Sequence, residues 1–374
     1  IYMGDWSSDV CSSDLGRYVA FICDPEDRRH RVIRDPIGGI DCLEASLQGV
    51  TVFFSSLADC PLLRRMAFSI NTDYVTASLA LPMLDQRRTG LREITRVLAG
   101  ECLELDGRHT SRRFYWNPAA FARLQPVDDP AIAARRIREV ARACVHAWAS
   151  CYPTLTMKLS GGLDSAVVLG CLTDAPTRPQ IACANSYCPD DPNSDEREYA
   201  RIAAHRAGLA LEVYEPDPAF DARRLLAMPA FHSPSEYLVS LACNEGGWKY
   251  ARERGASGLF TGAGGDQLFF IAAKDYICAD AIFHAAGASK IVALAVAGAR
   301  SRKMSLWHAL AEGAQVAWSR DRWKPLLRDY RPPRFLSPEA AAAIAQRASP
   351  WHPWFADTPI WRSEERRVGK ECRS

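Results

Sequence analysis

The chain has 374 residues, of which 48% are hydrophobic and 24% are charged, and its formal net charge is +2. This composition is ordinary for a soluble globular enzyme, and the length favours two domains over a single core. The near-neutral charge argues against a broad surface for nucleic acid. The apolar run "IVALAVAGA", which begins at Ile291, is too short to span a bilayer, so no membrane partner is expected.

Thirteen cysteines are scattered along the chain without a CxxC pair. Several of them, such as Cys144 and Cys171, lie inside apolar runs, where small buried thiols are common. Cys183 and Cys188 lack His or Cys partners at the spacing of a zinc site. We therefore expect a reduced, cytoplasmic protein without a zinc site.

The two ends of the chain differ from the segments that they flank. Residues 1–15, "IYMGDWSSDVCSSDL", and residues 363–374, "SEERRVGKECRS", resemble translated sequencing-adaptor sequence, and we expect both to be artefacts. The natural protein is then expected to be cut at both ends. Between them, a composition change divides the chain into a first domain over 16–120 and a second over 121–362.

The first domain is predicted to be a β-rich layer that extends to about Pro118. "RYVAFICDPEDRRHRVIRDPIGG" predicts two strands around a polar turn, and "VTVFFSS" predicts a further strand. "YVTASLALPML" and the stretch before "VLAGECLELDG" predict a short helix and then a hairpin. Because acidic residues interrupt the basic run "DRRHRVIRD", we expect a solvated face there rather than a nucleic-acid site.

The second domain alternates helices and strands. Asp128 or Asp129 caps a predicted helix over about 130–149, with Pro130 in its first turn. The elements predicted after it are a strand in "PTLTMKLS", a helix over Ser165 to Leu172, a strand over Ile181 to Ser186, a helix over about Asp195 to Gly208, a strand in "ALEVYE", and a helix over about 236–254 that leads into "SGLFTGAGGD". This alternation predicts an α/β fold, a doubly wound parallel sheet covered on both faces.

The stretch "KLSGGLDSAVVLGC", residues 158–171, puts a turn of small residues between two apolar runs. At the carboxyl end of a parallel strand, glycines let backbone N–H groups approach an anion, and the following helix dipole adds positive potential. The carboxylate of Asp164 suits such a site if it holds a magnesium ion that touches phosphate. The spacing is neither that of a Walker loop nor that of a nucleophile elbow. The alternative is a strand-to-helix turn with a serine cap.

"LSGGLDS" resembles the SGGxDS pyrophosphate loop of the N-type ATP pyrophosphatases, and the chain resembles the asparagine synthetase B superfamily. That superfamily includes asparagine synthetases, β-lactam synthetases and lasso-peptide macrolactam cyclases. "SDEREYARIAAHRAG" resembles the family's DE-x-x-YA helix, and "LFTGAGGDQLF" its SGEGADELF loop. "VIRDPIGG", "VFFSSLADC" and "FYWNP" resemble strands of its amidotransferase-like domain. The resemblance covers about residues 17–361.

The resemblance implies a PP-loop, HUP-like ATP pyrophosphatase fold, preceded by a truncated, β-rich Ntn-amidotransferase-like domain. In the family, ATP adenylates a carboxylate, pyrophosphate leaves, and an amine attacks the acyl-adenylate. Carried over by position, the pyrophosphate ligands would be Ser160, Gly161, Gly162 and Ser165, the magnesium and catalytic ligands Asp164 and Asp266, and the residues that line the adenylate Leu159, Asn185, Thr261 and Gly262. The alternative role for Asp266 is that of a helix N-cap. The alternative for Asp195 and Glu196 is that they are ordinary acids in the first turn of a helix, where the helix dipole favours negative charge.

The acceptor amine is indicated by Ala263, which stands where asparagine synthetases carry a glutamate thought to serve ammonia. A methyl group can neither accept a proton nor hold ammonium. "RDPIGGIDCLE" also resembles the RDP-x-G-x-x-x-C pattern of lasso-peptide cyclases. The resemblance therefore implies a macrolactam cyclase, whose partners are a ribosomal precursor peptide and its leader-peptide protease.

Two alternatives stay open: a glutamine-hydrolysing asparagine synthetase, and an inactive peptide-binding scaffold. A glutaminase needs an N-terminal cysteine nucleophile, and Cys23, inside a strand pattern, is expected to be buried instead. The essential lysine of the family falls near or beyond Trp361, and neither Lys274 nor Lys324 lies in a recognisable motif, so no lysine is assigned. The sequence carries no signal for the oligomeric state.

Overall fold

In the computed structural model the chain forms two compact units, which divide between Thr261 and Gly262. The described residues are 16–23, 29–80, 87–106, 109–117, 127, 129–187, 189, 195–215, 217, 221–228, 231–234, 241–265, 278–279, 281–282, 287–318 and 337–339. Both ends expected to be artefacts lie outside these residues, as do Asp266, Lys274 and Lys324.

Two antiparallel sheets form the N-terminal part of the first unit. The strands are β1 Val19–Cys23, β2 His30–Arg34, β3 Leu43–Leu47, β4 Val50–Phe54, β5 Ile94–Arg96, β6 Glu101–Asp106 and β7 His109–Phe114. They pair in the orders β1-β2-β6-β7 and β4-β3-β5. A short 3-10 helix, Pro61–Arg65, and helix α1, Thr72–Ala80, connect β4 to β5. The predicted β-rich layer and short helix are confirmed, and the hairpin lies later than predicted, between β6 and β7.

Alternation along β1 decides which of its side chains meet water. Phe21 is 64% exposed, and Cys23, two residues further on the same face, is also exposed. The expectation of a buried Cys23 thiol is therefore wrong: Cys23 is the last residue of β1, a strand at the edge of its sheet, and is exposed.

The interior beside the two sheets contains a paired charge. The carboxylate of Glu101, which is 1% exposed, accepts hydrogen bonds from both terminal nitrogens of Arg87 at 2.9 and 2.6 Å. The Leu98 N–H donates to the same carboxylate at 2.8 Å. A buried carboxylate is tolerated when its oxygens are satisfied by such charge-assisted bonds.

The third sheet is parallel, as predicted. It consists of β8 Thr154–Lys158, β9 Gln180–Ser186, β10 Leu211–Tyr214 and β11 Gly258–Phe260, in the order β10-β9-β8-β11. All three pairings between neighbours are parallel. The chain therefore begins this sheet in the interior at β8, adds β9 and β10 on one side, and returns to add β11 on the other.

The helix before this sheet, α2, spans Pro130–Ala149 as the sequence predicts. The Asp129 carboxylate accepts hydrogen bonds from the Ala131 and Ile132 N–H groups at 2.7 and 3.3 Å, so it caps the helix. Pro130 occupies the first helical position, where its missing N–H costs nothing. Asp129, rather than Asp128, is therefore the capping residue.

Three further helices of the first unit are α3 Leu163–Thr173, α4 Arg197–Arg206 and α5 Leu241–Glu253, and a 3-10 helix, Ala222–Ala227, precedes α5. Leu155, Met157 and Leu159, on one face of β8, are fully buried in a core with residues of α2, α3 and α4. Lys158 alternates to the opposite face, where α5 packs. Helices therefore cover both faces of the sheet, as predicted.

The described part of the second unit consists mainly of helices α6, Ala288–Arg302, and α7, Leu306–Trp318. A small core joins them, with Ala295, Ala299 and Ala309 buried. The apolar run that begins at Ile291 lies within α6 and packs there. Across the part of the chain that the structure describes, none of the helices combines the length and the apolar character that a membrane span requires.

Candidate functional site

The carboxyl edge of the parallel sheet is the starting point of the site. Strand order reverses between β8 and β11, and α/β proteins bind ligands at the carboxyl edge beside such a reversal point. Residues 159–162 leave β8 at this edge, and Thr261, which is exposed, leaves β11. Two of the segments predicted from the sequence as ligand-binding therefore begin side by side.

The turn after β8 is held by its own serines. The Ser160 N–H donates to Ser165 Oγ at 3.2 Å, and the two hydroxyl oxygens lie 3.0 Å apart. Ser160 Oγ accepts a hydrogen bond from the Gly162 N–H at 3.2 Å, and Ser165 Oγ donates to the Gly162 carbonyl at 3.0 Å. Ser165 is 2% exposed whereas Ser160 is exposed, so Ser165 supports the turn from inside.

Gly161 has a backbone conformation and a close contact with Glu196 that no residue with a side chain could adopt without strain. Its φ is +103°, a region that side-chain-bearing residues rarely adopt. A Cβ added there would lie 2.5 Å from the carbonyl oxygen and 2.6 Å from the Cβ of Glu196. The absence of a side chain is therefore required by the packing of the turn against Glu196.

Helix α3 starts directly after the turn, with Gly162 as its N-cap and no side-chain cap. The first N–H groups of an α-helix have no carbonyl partner within the helix, and the helix dipole makes this end attractive to anions. The serine cap considered from the sequence is therefore wrong for the N-cap position itself. Asp164 lies in the first turn and is half-buried.

Asn185 connects the next strand to the turn. Its side chain is at the end of β9, and the residue is 3% exposed. The amide nitrogen Nδ2 donates to the Leu159 carbonyl at 2.7 Å and to the Ser160 carbonyl at 3.3 Å. Within the described part of the chain, its oxygen Oδ1 is buried without a hydrogen-bond partner. The structure thus brings together six of the residues predicted at this site: Leu159, Ser160, Gly161, Gly162, Ser165 and Asn185.

The loop after β11 is described only in part. Gly262 and Ala263 are the first residues of the second unit, and the Gly265 N–H donates to the Gly262 carbonyl at 3.3 Å. Ala263 is exposed. Asp266, predicted as the second metal ligand, lies outside the described residues. Across those residues, no group of three or more His, Cys, Asp or Glu side chains has the arrangement of a metal site.

The acids before α4 fall outside the helix, contrary to the alternative of first-turn positions. Both oxygens of Asp195 accept hydrogen bonds from the Arg197 guanidinium at 2.8 Å, and these bonds lower the pKa of the carboxyl to about 2. The same guanidinium lies 3.4 Å from the centre of the Tyr187 ring. Glu196, which lies between Asp195 and Arg197, is the residue whose backbone meets Gly161.

Lys158 is a residue that the sequence analysis did not assign to the site. It is half-buried at the end of β8, and its Nζ donates to Asn244 Oδ1 of α5 at 2.8 Å. A lysine at the end of a strand is ordinarily interpreted as a surface residue, and only the packing of α5 reveals its position. It adds a positive charge at the edge where the turn begins.

The "RDPIGG" segment of the first domain is structural. Arg34 is 4% exposed and donates at 2.8 Å to each of the carbonyls of Ile40, Val97 and Gly38. Asp35, which is fully buried, accepts from the N–H groups of residues 37, 38 and 39. The expectation of a solvated basic face is wrong for Arg34, because its guanidinium satisfies backbone carbonyls of folded loops.

A histidine from the second half of the sequence lies against the first domain. His232 Nε2 is 2.8 Å from the Arg96 guanidinium and 3.7 Å from Asp41, whose other oxygen pairs with Arg34. Its carbonyl accepts a hydrogen bond from the Gly90 N–H at 2.8 Å. Burial and the two arginines lower the pKa of the imidazole, and Asp41 opposes them only in part. The neutral imidazole can accept from Arg96.

The turn after β8 fits a phosphate-type anion on two grounds, the side-chain-free backbone at Gly161 and the helix N-terminus that follows it. A parallel sheet with such a turn at its reversal point is the arrangement of nucleotide-binding α/β enzymes. The chain belongs to the asparagine synthase family: the sequence model described as "Asparagine synthase" matches residues 136–351. The protein is an ATP-dependent carbon–nitrogen ligase that forms amides.

Two solved structures are similar to parts of the chain. One is an NH3-dependent NAD synthetase from Campylobacter jejuni in complex with the nitrate ion, with 13% identity over 57% of this chain and 92% of that chain and a TM-score of 0.26. The other is a glutamine-dependent NAD+ synthetase from Acinetobacter baumannii in complex with ADP, with 12% identity over 63% of this chain and 58% of that chain and a TM-score of 0.26. No curated protein matches.

Proposed function

We propose that the protein is a macrolactam-forming cyclase, which couples an Asp or Glu side chain of a ribosomal precursor peptide to the N-terminal amine of the same peptide. The observation that carries this proposal is Ala263, in the loop where asparagine synthetases have a glutamate. An ammonia-using enzyme needs a group that holds the incoming amine, and a methyl group cannot do so. A peptide brings its own amine.

In this proposal the turn after β8 holds pyrophosphate. Gly161 offers its backbone N–H and Ser160 an exposed hydroxyl, while the Gly162 N–H would have to exchange its bond to Ser160 Oγ for one to pyrophosphate and Ser165 supports the turn from inside. Backbone groups at the strand ends line the adenylate, at Leu159, Asn185, Thr261 and Gly262. The arrangement suits a leaving group whose negative charge grows as it departs, because its donors are already oriented.

Magnesium is the proposed partner of Asp164. A carboxylate in the first turn of α3 would repel a phosphate bound at the same helix end, unless a cation lies between them. The second proposed ligand, Asp266, follows the glycine-rich loop after β11. When bound, the ion would neutralise charge on the departing pyrophosphate.

The proposed reaction has two steps. A carboxylate oxygen of the peptide attacks the α-phosphorus of ATP, and pyrophosphate leaves. The amine nitrogen then attacks the acyl carbon, AMP leaves with the bond electrons, and the amine loses a proton to give the amide. Because both reacting groups belong to one folded peptide, their effective concentration is high. Effective molarities of well-oriented intramolecular reactions reach about 10⁵ M or more.

A second candidate is a glutamine-hydrolysing asparagine synthetase, which the name of the matching family favours. It would use the amidotransferase-like domain that we propose for residues 16–120. In the cyclase proposal, the same β-rich region and a leader-peptide protease serve the precursor peptide instead. The two candidates differ in the acceptor, so substrates can separate them.

The experiment supplies the protein with ATP and either a leader-bearing peptide with an Asp or Glu, or aspartate with glutamine. The cyclase predicts AMP release with the peptide, together with a peptide product that has lost one water by mass spectrometry. AMP release only with aspartate and glutamine would refute the cyclase in favour of the second candidate. If no AMP is released with either substrate, the inactive scaffold is favoured.

The metal assignment is tested with Asp164→Asn and Asp266→Asn, each of which should lower pyrophosphate release by at least about 100-fold. A matched control is Asp174→Asn at the opposite end of α3, where the carboxylate pairs with Arg142. The control should keep its activity. Unchanged turnover in Asp164→Asn would remove this residue from the metal site.

A further inference from the structure

The side chain of Asn185 forms hydrogen bonds to the chain directly after the backbone hydrogen bonds between β8 and β9 end. The last backbone bond between the two strands runs from the Leu159 N–H to the Ala184 carbonyl at 2.8 Å. One residue further on, the amide nitrogen of Asn185 donates to two consecutive carbonyls, those of Leu159 and Ser160. A single side chain thus holds two successive peptide groups of the turn.

The direction of these two carbonyls fixes the direction of two N–H groups. In a planar trans peptide, the C=O of one residue and the N–H of the next point in opposite directions. The Leu159 carbonyl is bound by Asn185, and the Ser160 N–H of the same peptide points the other way, onto Ser165 Oγ at 3.2 Å. The Ser160 carbonyl is also bound by Asn185, so the Gly161 N–H must point away from Asn185.

Gly161 itself does not constrain this orientation. Glycine is the residue with the widest choice of backbone conformations, and its φ here is +103°. The serine bonds hold the residues on either side, Ser160 and Gly162, whereas the peptide between Ser160 and Gly161 is itself bound, within the described residues, through its carbonyl to Asn185. The restraint comes from a residue that is 3% exposed and has little room to move.

We propose that Asn185 is a positioning residue, whose side-chain amide orients the peptide between Ser160 and Gly161 so that the Gly161 N–H is presented to pyrophosphate. This inference rests on the proposed function, in which the turn after β8 is the pyrophosphate site. Asn185 acts through the turn and its side chain does not touch the nucleotide. Burying Oδ1 without a partner in the described structure is unfavourable, and the two hydrogen bonds that Nδ2 donates offset this cost.

The test is Asn185→Leu, which keeps the size of the side chain and adds no charge but removes the donor. Dissociation constants of pyrophosphate and of AMP are measured by calorimetry with magnesium present. Pyrophosphate affinity should fall by about ten-fold, the effect of losing one or two buried hydrogen bonds. AMP affinity should fall by clearly less than pyrophosphate affinity, because AMP lacks the pyrophosphate that the turn holds and reaches Leu159 and Asn185 only through backbone groups.

A matched control is Thr156→Val on β8, which is also fully buried and whose hydroxyl has no partner within the described residues. It removes a polar atom from the same sheet without touching the turn, so both affinities should match those of the wild type. If the leucine variant fails to fold by circular dichroism, Asn185→Asp replaces it. A carboxylate cannot donate to the two carbonyls, and the AMP measurement reports its added charge.

Three results would overturn the inference. Unchanged pyrophosphate affinity in Asn185→Leu would mean that the turn keeps its shape without the amide. An equal loss for pyrophosphate and AMP would mean that Asn185 contacts the nucleotide or supports the whole sheet. If the wild type binds neither ligand, the proposed function itself fails, and the inference fails with it; binding by the wild type separates the two cases.

Discussion

Replacing Gly161 with alanine tests the geometry of the turn most directly. The substitution adds one methyl group to a residue with a φ of +103°, and that group would lie 2.5 Å from the Glu196 carbonyl oxygen. The same oxygen accepts the Ala200 N–H at 3.1 Å in the first turn of α4. Relief of the clash by moving Glu196 therefore disturbs the start of a second helix.

The expected loss of stability has two contributions. A left-handed backbone costs a residue with a Cβ about 1–2 kcal/mol, and forcing an extra carbon into a packed contact costs about 1–3 kcal/mol. Together they predict that the free energy of unfolding falls by about 2–5 kcal/mol, with the lower end reached if the exposed Glu196 moves. Pyrophosphate affinity should fall as well, because the donors of the turn are displaced.

The assay is urea denaturation of the wild type and the variant, followed by circular dichroism, with the midpoints compared at equal slopes. Gly170→Ala is the control, because Gly170 lies on the exposed side of α3 and a Cβ there meets nothing within 4 Å. Alanine is the better helix former, so this control should stabilise the protein by about 0.5–1 kcal/mol. An unchanged midpoint and unchanged pyrophosphate affinity in Gly161→Ala would refute the described packing of the turn.

Two further predictions concern titration. The folded protein holds the pKa of His232 below its ordinary value of 6.5; the unfolded chain therefore binds more protons there, and stability falls as the pH drops below that value. His232→Gln, which keeps an acceptor for Arg96, should reduce this fall in denaturation at several pH values, and an identical pH dependence would contradict the assignment. Burial raises the pKa of the Cys42 thiol to about 12, whereas Cys151 is exposed. Because the thiolate is the nucleophile, iodoacetamide should label Cys151 before Cys42 in peptide mapping, and equal labelling of the two would contradict the burial of Cys42.

The sequence predicts those elements whose signals are local. Helix α2 carries a cap, a proline and an apolar period within one continuous stretch, and its observed bounds agree with the prediction. Strand β3, LEASL, escapes prediction because it contains no β-branched or aromatic residue, unlike the equally long β1, β2 and β4. Its pairing partner β5 lies far along the chain, with Leu43 opposite Arg96. Such a strand is stabilised by its neighbours more than by its own composition.

In the site, too, features with local sequence signals are predictable and long-range contacts are not. The glycines and serines of the turn are predictable, because their positions after a strand and before a helix carry the chemistry. The contact of Gly161 with Glu196, the two bonds of Asn185 and the pairing of His232 with Arg96 are not predictable, since each joins residues far apart in sequence. The last of these spans 136 positions. Only the fold reveals which polar side chain meets which partner.

The choice of amine depends on a different kind of observation, the chemistry of the acceptor itself. An α-amino group has an ordinary pKa of about 7.7–8.0, against about 10.4 for a lysine side chain. A sizeable fraction of a peptide's N-terminal amine is therefore uncharged near neutral pH, and it can attack an activated carboxylate without a basic residue to take its proton first. If the enzyme is a cyclase, Ala263 is then compatible with an N-terminal acceptor, whereas a lysine acceptor would require a base that this position does not supply.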